Sequence, residues 1–118
     1  MCIRDWCGCK VGIAINPDTS LSVLKDIFGE IDLILLMSVY PGFGGQEFIE
    51  DTIVKISEAK KLIDQQDRQI FLEVDGGINN ETISRVSKAG ANVFVAGSAI
   101  FGSSNYEKTI QSFRQKIT

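Results

Sequence analysis

The stretch Met37-Ser38-Val39-Tyr40-Pro41-Gly42-Phe43-Gly44-Gly45-Gln46 decides the reading of this 118-residue chain. An apolar run over 33–39 halts at a Pro-Gly turn, a loop with three glycines follows, and a helix-forming segment comes next. A buried parallel strand delivers a phosphate-binding loop in this way, because glycine lets backbone N–H groups approach an anion. Two further apolar strands end alike, one at Asp75-Gly76-Gly77 and one at Gly97-Ser98. One pair of glycines would be explained by a tight turn alone. Three sets at the C-terminal ends of successive strands predict a single anion site on one rim of a parallel sheet.

Working outward from that stretch, strands are predicted over 10–15, 32–39, 70–75 and 92–96. They alternate with helices over 21–28, 52–65, 80–89 and 106–117. Ile53, Ile56 and Ile63 form one helical stripe, and Tyr106, Ile110, Phe113 and Ile117 another. After a leader over 1–9, residues 10–118 thus read as four βα units in one domain. An open doubly wound sheet usually carries one glycine-rich loop near its first strand. Here the glycines sit at several strand ends, late in the chain, which favours a β/α barrel with its phosphate site on the last two βα loops. A complete barrel takes roughly 250 residues. The expected fold class is therefore α/β, with parallel strands forming the C-terminal half of a (β/α)8 TIM barrel.

Composition narrows the function classes. A hydrophobic content of 44% with 23% charged residues suits a globular domain with a real core. The net charge of −3 and pI near 4.9 argue against a nucleic-acid partner, which would favour a basic face. No apolar run approaches the roughly 20 residues that span a bilayer, and the first residues lack a signal-peptide core, so no membrane partner and a cytoplasmic location are expected. Cys2, Cys7 and Cys9 are an odd count with no zinc spacing, which reads as reduced thiols.

Four segments resemble one family. Met37-Ser38-Val39-x-Pro41-Gly42-Phe43-Gly44-Gly45-Gln46-x-Phe48-Ile49 resembles the signature of ribulose-phosphate 3-epimerase, and Glu73-Val74-Asp75-Gly76-Gly77-Ile78 resembles its second motif. The run from Ala89 to Phe101 resembles its third, and Gly12-Ile13-Ala14-Ile15-Asn16-Pro17 is also similar to the family. The likeness extends from about Gly8 to the end, in the correct order. It implies a (β/α)8 barrel enzyme of the pentose phosphate pathway that interconverts D-ribulose 5-phosphate and D-xylulose 5-phosphate. It also implies a divalent metal, commonly zinc or iron. Epimerisation of another ketose phosphate, such as allulose 6-phosphate, is the near alternative; a non-catalytic phosphate-binding or assembly half-barrel is the distant one.

Epimerisation beside a carbonyl removes a proton from one face and returns one to the other, so it needs two acid/base groups and stabilisation of an enediolate. Asp75, at the tip of the third strand, is the candidate for one of them. The resemblance makes it a metal ligand as well; the bland reading is a carboxyl that caps the Gly-Gly turn. Glu73 shares its strand face and reads as structural support, with Lys10 as a guessed partner. Gly42, Gly44, Gly45, Gly76, Gly77, Gly97 and Ser98, with Phe43 between them, are read as the phosphate and substrate loops. Met37 matches a methionine that faces the sugar carbons in the family, or is ordinary core packing. Tyr40 departs from the family, which more often has a polar residue there. The family's metal site takes two histidines and a second aspartate, whereas this chain has no histidine. With Asp75 as the one matching ligand, the chain by itself is expected to be inactive as an epimerase. An open half-barrel leaves two sheet edges and an apolar face uncovered, so a homo-oligomer that covers them is expected.

Overall fold

Alternation along the strands sets the layering. In the computed structural model, which describes residues 7–40, 42 and 46–118, the strands are β1 (Gly12–Ile15), β2 (Leu33–Met37), β3 (Phe71–Asp75) and β4 (Val93–Val95). On β2, Ile34 and Leu36 are fully buried while Leu33, Leu35 and Met37 are half-buried. On β3, Leu72 and Val74 are buried while Phe71, Glu73 and Asp75 are half-buried. Successive side chains point to opposite faces, so one face of the sheet is sealed and the other is not.

The sealing is done by helices α1 (Thr52–Asp64), α2 (Ile83–Ala89), α3 (Ser98–Phe101) and α4 (Tyr106–Ile117). Ile56, Ala59 and Ile63 of α1, Ile83 and Val86 of α2 and Phe113 of α4 join Ile15, Ile34, Leu36, Leu72 and Val74 in one core. The strand order is β1-β2-β3-β4, with every neighbouring pair parallel. A doubly wound sheet reverses its strand order and carries helices on both faces. Strands in chain order, with helices on a single face, are the winding of a β/α barrel, as the sequence predicts.

Three local outcomes differ from the sequence reading. The helix predicted over 21–28 is a 3-10 turn, Leu21–Leu24, followed by turns. Leu21, Leu24 and Phe28 are all buried, and the three-residue spacing of the first pair suits a 3-10 turn as well as an α-helix. The helix predicted over 80–89 is regular from Ile83, because Asn79 caps a preceding turn. Its Oδ1 accepts from the N–H groups of Glu81 at 2.8 Å and Thr82 at 3.0 Å. Helix α3 has one turn only, too short to show periodicity. By contrast, α4 occupies the predicted span, with Asn105 Oδ1 accepting from the N–H of Lys108 at 3.0 Å.

The lower rim is pinned by Asp32. One of its carboxylate oxygens accepts from the Val11 N–H at 2.8 Å, and the other from Arg68, which also donates to the carbonyls of Ile31 and Phe28. Cys7 and Cys9 are exposed free thiols. Among the described residues, no helix is long and apolar enough to cross a membrane.

Candidate functional site

Register carries the site. Met37 of β2 pairs with Asp75 of β3, and Asp75 pairs with Val95 of β4, so three strand ends finish level on the unsealed side. The loops beyond them are stitched together. Ser38 is fully buried; its hydroxyl donates to the Gly76 carbonyl and its N–H to the Asp75 carbonyl at 2.9 Å. Its own carbonyl accepts from the Ile49 N–H at 2.8 Å, which brings the chain back after the glycine loop.

Gly76 and Gly77 make this interlock possible. Gly76 has φ +126°, and a Cβ there would stand 2.6 Å from Val39 Cγ2. Gly77 has φ +66°, and a Cβ would stand 2.8 Å from the Phe48 backbone. L side chains rarely adopt such φ values, and no space exists for one. Thr82 fixes the far side of the loop: its hydroxyl donates to the Gly77 carbonyl at 2.7 Å and accepts from the Asn79 N–H at 3.0 Å.

Above these loops lies a cleft of about 620 Å³. Met37, Gly42, Asp75, Gly76, Gly77, Gly97 and Ser98 all line it. Phe43, Gly44 and Gly45 lie outside the described residues. Tyr40, Gln46, Asn79 and Val95 also face the cleft. Period-two alternation from Asp75 and its register partner could have flagged Val95. Ser38 stands in the quoted signature stretch, but its role appears only when β2 and β3 are paired.

Asp75 is the sole carboxylate among the described lining residues. Glu73 sits one inward position below it, and among the described residues no ion pair joins it to Lys10. Tyr40 bridges to the β1 loop: its hydroxyl donates to Asp18 Oδ1 at 3.0 Å. That hydrogen bond and the Asp18 charge raise the phenol pKa above its ordinary value. Lys55 braces the same loop by donating to the carbonyls of Asn16 and Pro17 at 3.0 and 3.1 Å, and burial lowers its pKa. Among the described residues, no group of three or more His, Cys, Asp or Glu is placed to hold a metal ion. Asp75 by itself does not constitute a zinc or iron site, so the described residues do not fit the metal that the motifs imply.

The sequence model of the ribulose-phosphate 3 epimerase family matches residues 2–101. The chain belongs to this family. The ribulose-phosphate 3-epimerase of Buchnera aphidicola subsp. Baizongia pistaciae is 55% identical over 110 residues, which cover 93% of this chain and 48% of that protein. The ribulose-phosphate 3-epimerase of Escherichia coli K12 is 48% identical over 110 residues, covering 93% and 49%. The chain therefore spans about half the length of the curated epimerases it matches. A crystal structure of 3-hexulose-6-phosphate synthase from Salmonella typhimurium is similar with a TM-score of 0.64 at 21% identity, over 98% of this chain and 54% of that one. That likeness shows the fold: the four βα units correspond to about half of a TIM-barrel protein, as expected for this epimerase family.

Proposed function

We propose that the chain supplies the phosphate-binding half and one proton-transfer carboxylate of a ribulose-phosphate 3-epimerase, acting in the cytoplasm on D-ribulose 5-phosphate and D-xylulose 5-phosphate. The observation that carries this reading is the opening of Asp75 into the same cleft as Gly76, Gly77, Gly97 and Ser98. Backbone N–H groups of the glycine loops hold the phosphate, which fixes one end of the ketose. Asp75 then takes the proton from the carbon next to the carbonyl on one face of the sugar, or returns it. Met37, paired with Asp75 in the sheet, offers an apolar wall against the sugar carbons. The opposite face needs a second acid/base group, and the described lining residues hold no other carboxylate.

The reading is tested by titrating the 118-residue chain with inorganic phosphate and with D-ribulose 5-phosphate while following amide resonances. Shifts concentrated at Gly76, Gly77, Gly97 and Ser98 are expected for both ligands, without turnover. An unresponsive cleft overturns the phosphate site. Metal-dependent epimerisation by the chain alone overturns the view that Asp75 needs a partner from elsewhere.

A further inference from the structure

We propose that Tyr40 is a positioning residue of the cleft, whose hydroxyl, seated on Asp18, fastens the glycine loop after β2 to the loop after β1. Its importance rests on the phosphate site proposed for the cleft: Tyr40 governs how tightly that site holds its anion. The neck of the glycine loop is tied twice. The Ile49 N–H donates to the Ser38 carbonyl at 2.8 Å and closes the base. One step higher, the Gln46 side-chain amide donates to the Tyr40 carbonyl, so the residues that bracket 41–45 are joined. Gly42, within that bracket, lines the cleft. Two ties across the neck of a loop do not fix its tilt about that neck; a third point to one side does.

The Tyr40 hydroxyl supplies that point by donating to Asp18 Oδ1 at 3.0 Å. Asp18 is itself held. The Thr19 N–H donates to the Asn16 carbonyl at 3.0 Å and closes the turn, and Lys55 donates to the carbonyls of Asn16 and Pro17 at 3.0 and 3.1 Å. Lys55 belongs to α1, the helix into which the glycine loop runs. The circuit from Tyr40 through Asp18 and the 16–19 turn to Lys55 therefore ties the start of the glycine loop to the helix at its end. The charged group that faces the hydroxyl is Asp18; on the α1 side, Lys55 feels the charges of Asp18 and Glu58. The Asp18 hydrogen bond and charge keep the phenol protonated to higher pH than usual.

A loop held in place before its ligand arrives need not be ordered at the expense of binding. Tyrosine suits this task, with a rigid ring, few rotatable bonds and a donor at its tip. A hydrogen bond to a carboxylate at an exposed position is worth only about 5-fold in affinity. Charge alone predicts the reverse sign at Asp18. Taking a carboxylate from the surroundings of an anion site should tighten that site through electrostatics, whereas losing the latch should loosen it. The opposite signs separate the latch from a general effect of charge.

Titration of the full chain with inorganic phosphate, followed at the amides of Gly76, Gly77, Gly97 and Ser98, is the experiment. Tyr40→Phe keeps the ring and removes the hydroxyl; it should weaken phosphate binding about 5-fold while the melting temperature moves by less than about 2 °C. Asp18→Ala should weaken it as much, and the double variant no further than either single one. Asp18→Asn keeps an acceptor oxygen and should stay within about 2-fold of the parent. In that variant, spectrophotometric titration should show the phenol that Tyr40→Phe removes ionising at lower pH than in the parent. Affinity indifferent to Tyr40→Phe, tighter phosphate in Asp18→Ala, losses that multiply in the double variant, or a loss matched by a fall of more than about 5 °C in melting temperature overturns the positioning role and leaves the phosphate site standing. Parent amides that ignore phosphate overturn the site itself, and the role with it.

Discussion

Leu35 and Leu36 are adjacent on β2, chemically identical, and differently employed. Leu36 is fully buried under the helices; Leu35 faces the unsealed side and is half-buried. β3 repeats this division, with Leu72 and Val74 buried and Phe71, Glu73 and Asp75 half-buried, and the lesson is that the central strands separate a helix-covered face from a cleft-facing one by parity. Residues on the helix side hold the fold. Residues on the other side end in Met37, Asp75 and Val95, at the cleft.

The sharpest way to break the comparison is to truncate both leucines. Leu36→Ala should cost about 3 kcal/mol, the transfer and cavity terms of a closed core site. Leu35→Ala should cost under about 1 kcal/mol at a dilution where the chain is monomeric. Urea unfolding measures both, and equal costs would sink the division into two faces. Next comes a pair of glycines in the cleft. Gly77→Ala should cost about 2 kcal/mol, from strained φ and collision with Phe48, and should disturb the cleft. Gly97 has φ −107° and open space where a Cβ would stand. Gly97→Ala should therefore stay within about 0.5 kcal/mol of the parent while weakening the phosphate response. A smaller effect is expected at the lower rim. Arg68→Ala should lose about 1 kcal/mol, since the Asp32 carboxylate keeps the Val11 N–H but loses the Arg68 guanidinium.

The smallest effect belongs to an exposed pair outside both faces. Arg85 lies 2.7 Å from Glu50, and its hydrogen bond holds the carboxyl below its ordinary 4.5. A carboxylate with a depressed folded pKa contributes stability above the unfolded value and loses it as pH falls through the folded one. Glu50→Gln should thus melt slightly below the parent at pH 7 and together with it once the pH lies below the folded carboxyl's pKa. A gap that persists in acid would show that packing, not charge, joins the two side chains.

Much of the scaffold was legible because it is written in periodicity. The stripe Tyr106, Ile110, Phe113 and Ile117 located α4 to the residue. The glycine signals at strand ends located the cleft, since seven predicted residues from Met37 to Ser98 line it. Elements governed by short spacings were less legible: Leu21 and Leu24 satisfy a 3-10 turn and an α-helix alike. Contacts between strands were not legible. The close fit of Gly76 to Val39 and of Gly77 to Phe48 depends on how β2 and β3 align, and no local pattern encodes it. Gly76 and Gly77, which the sequence reading assigned to ligand loops, are in the structure the joint between strand ends.

The order β1-β2-β3-β4 has a consequence for how the molecule is made. Among the four described strands, each docks beside the one synthesised just before it, so none of the three pairings waits for a distant segment. A ribosome releasing the chain from its N-terminus supplies the pieces in the order of assembly, and each finished unit is the template for the next.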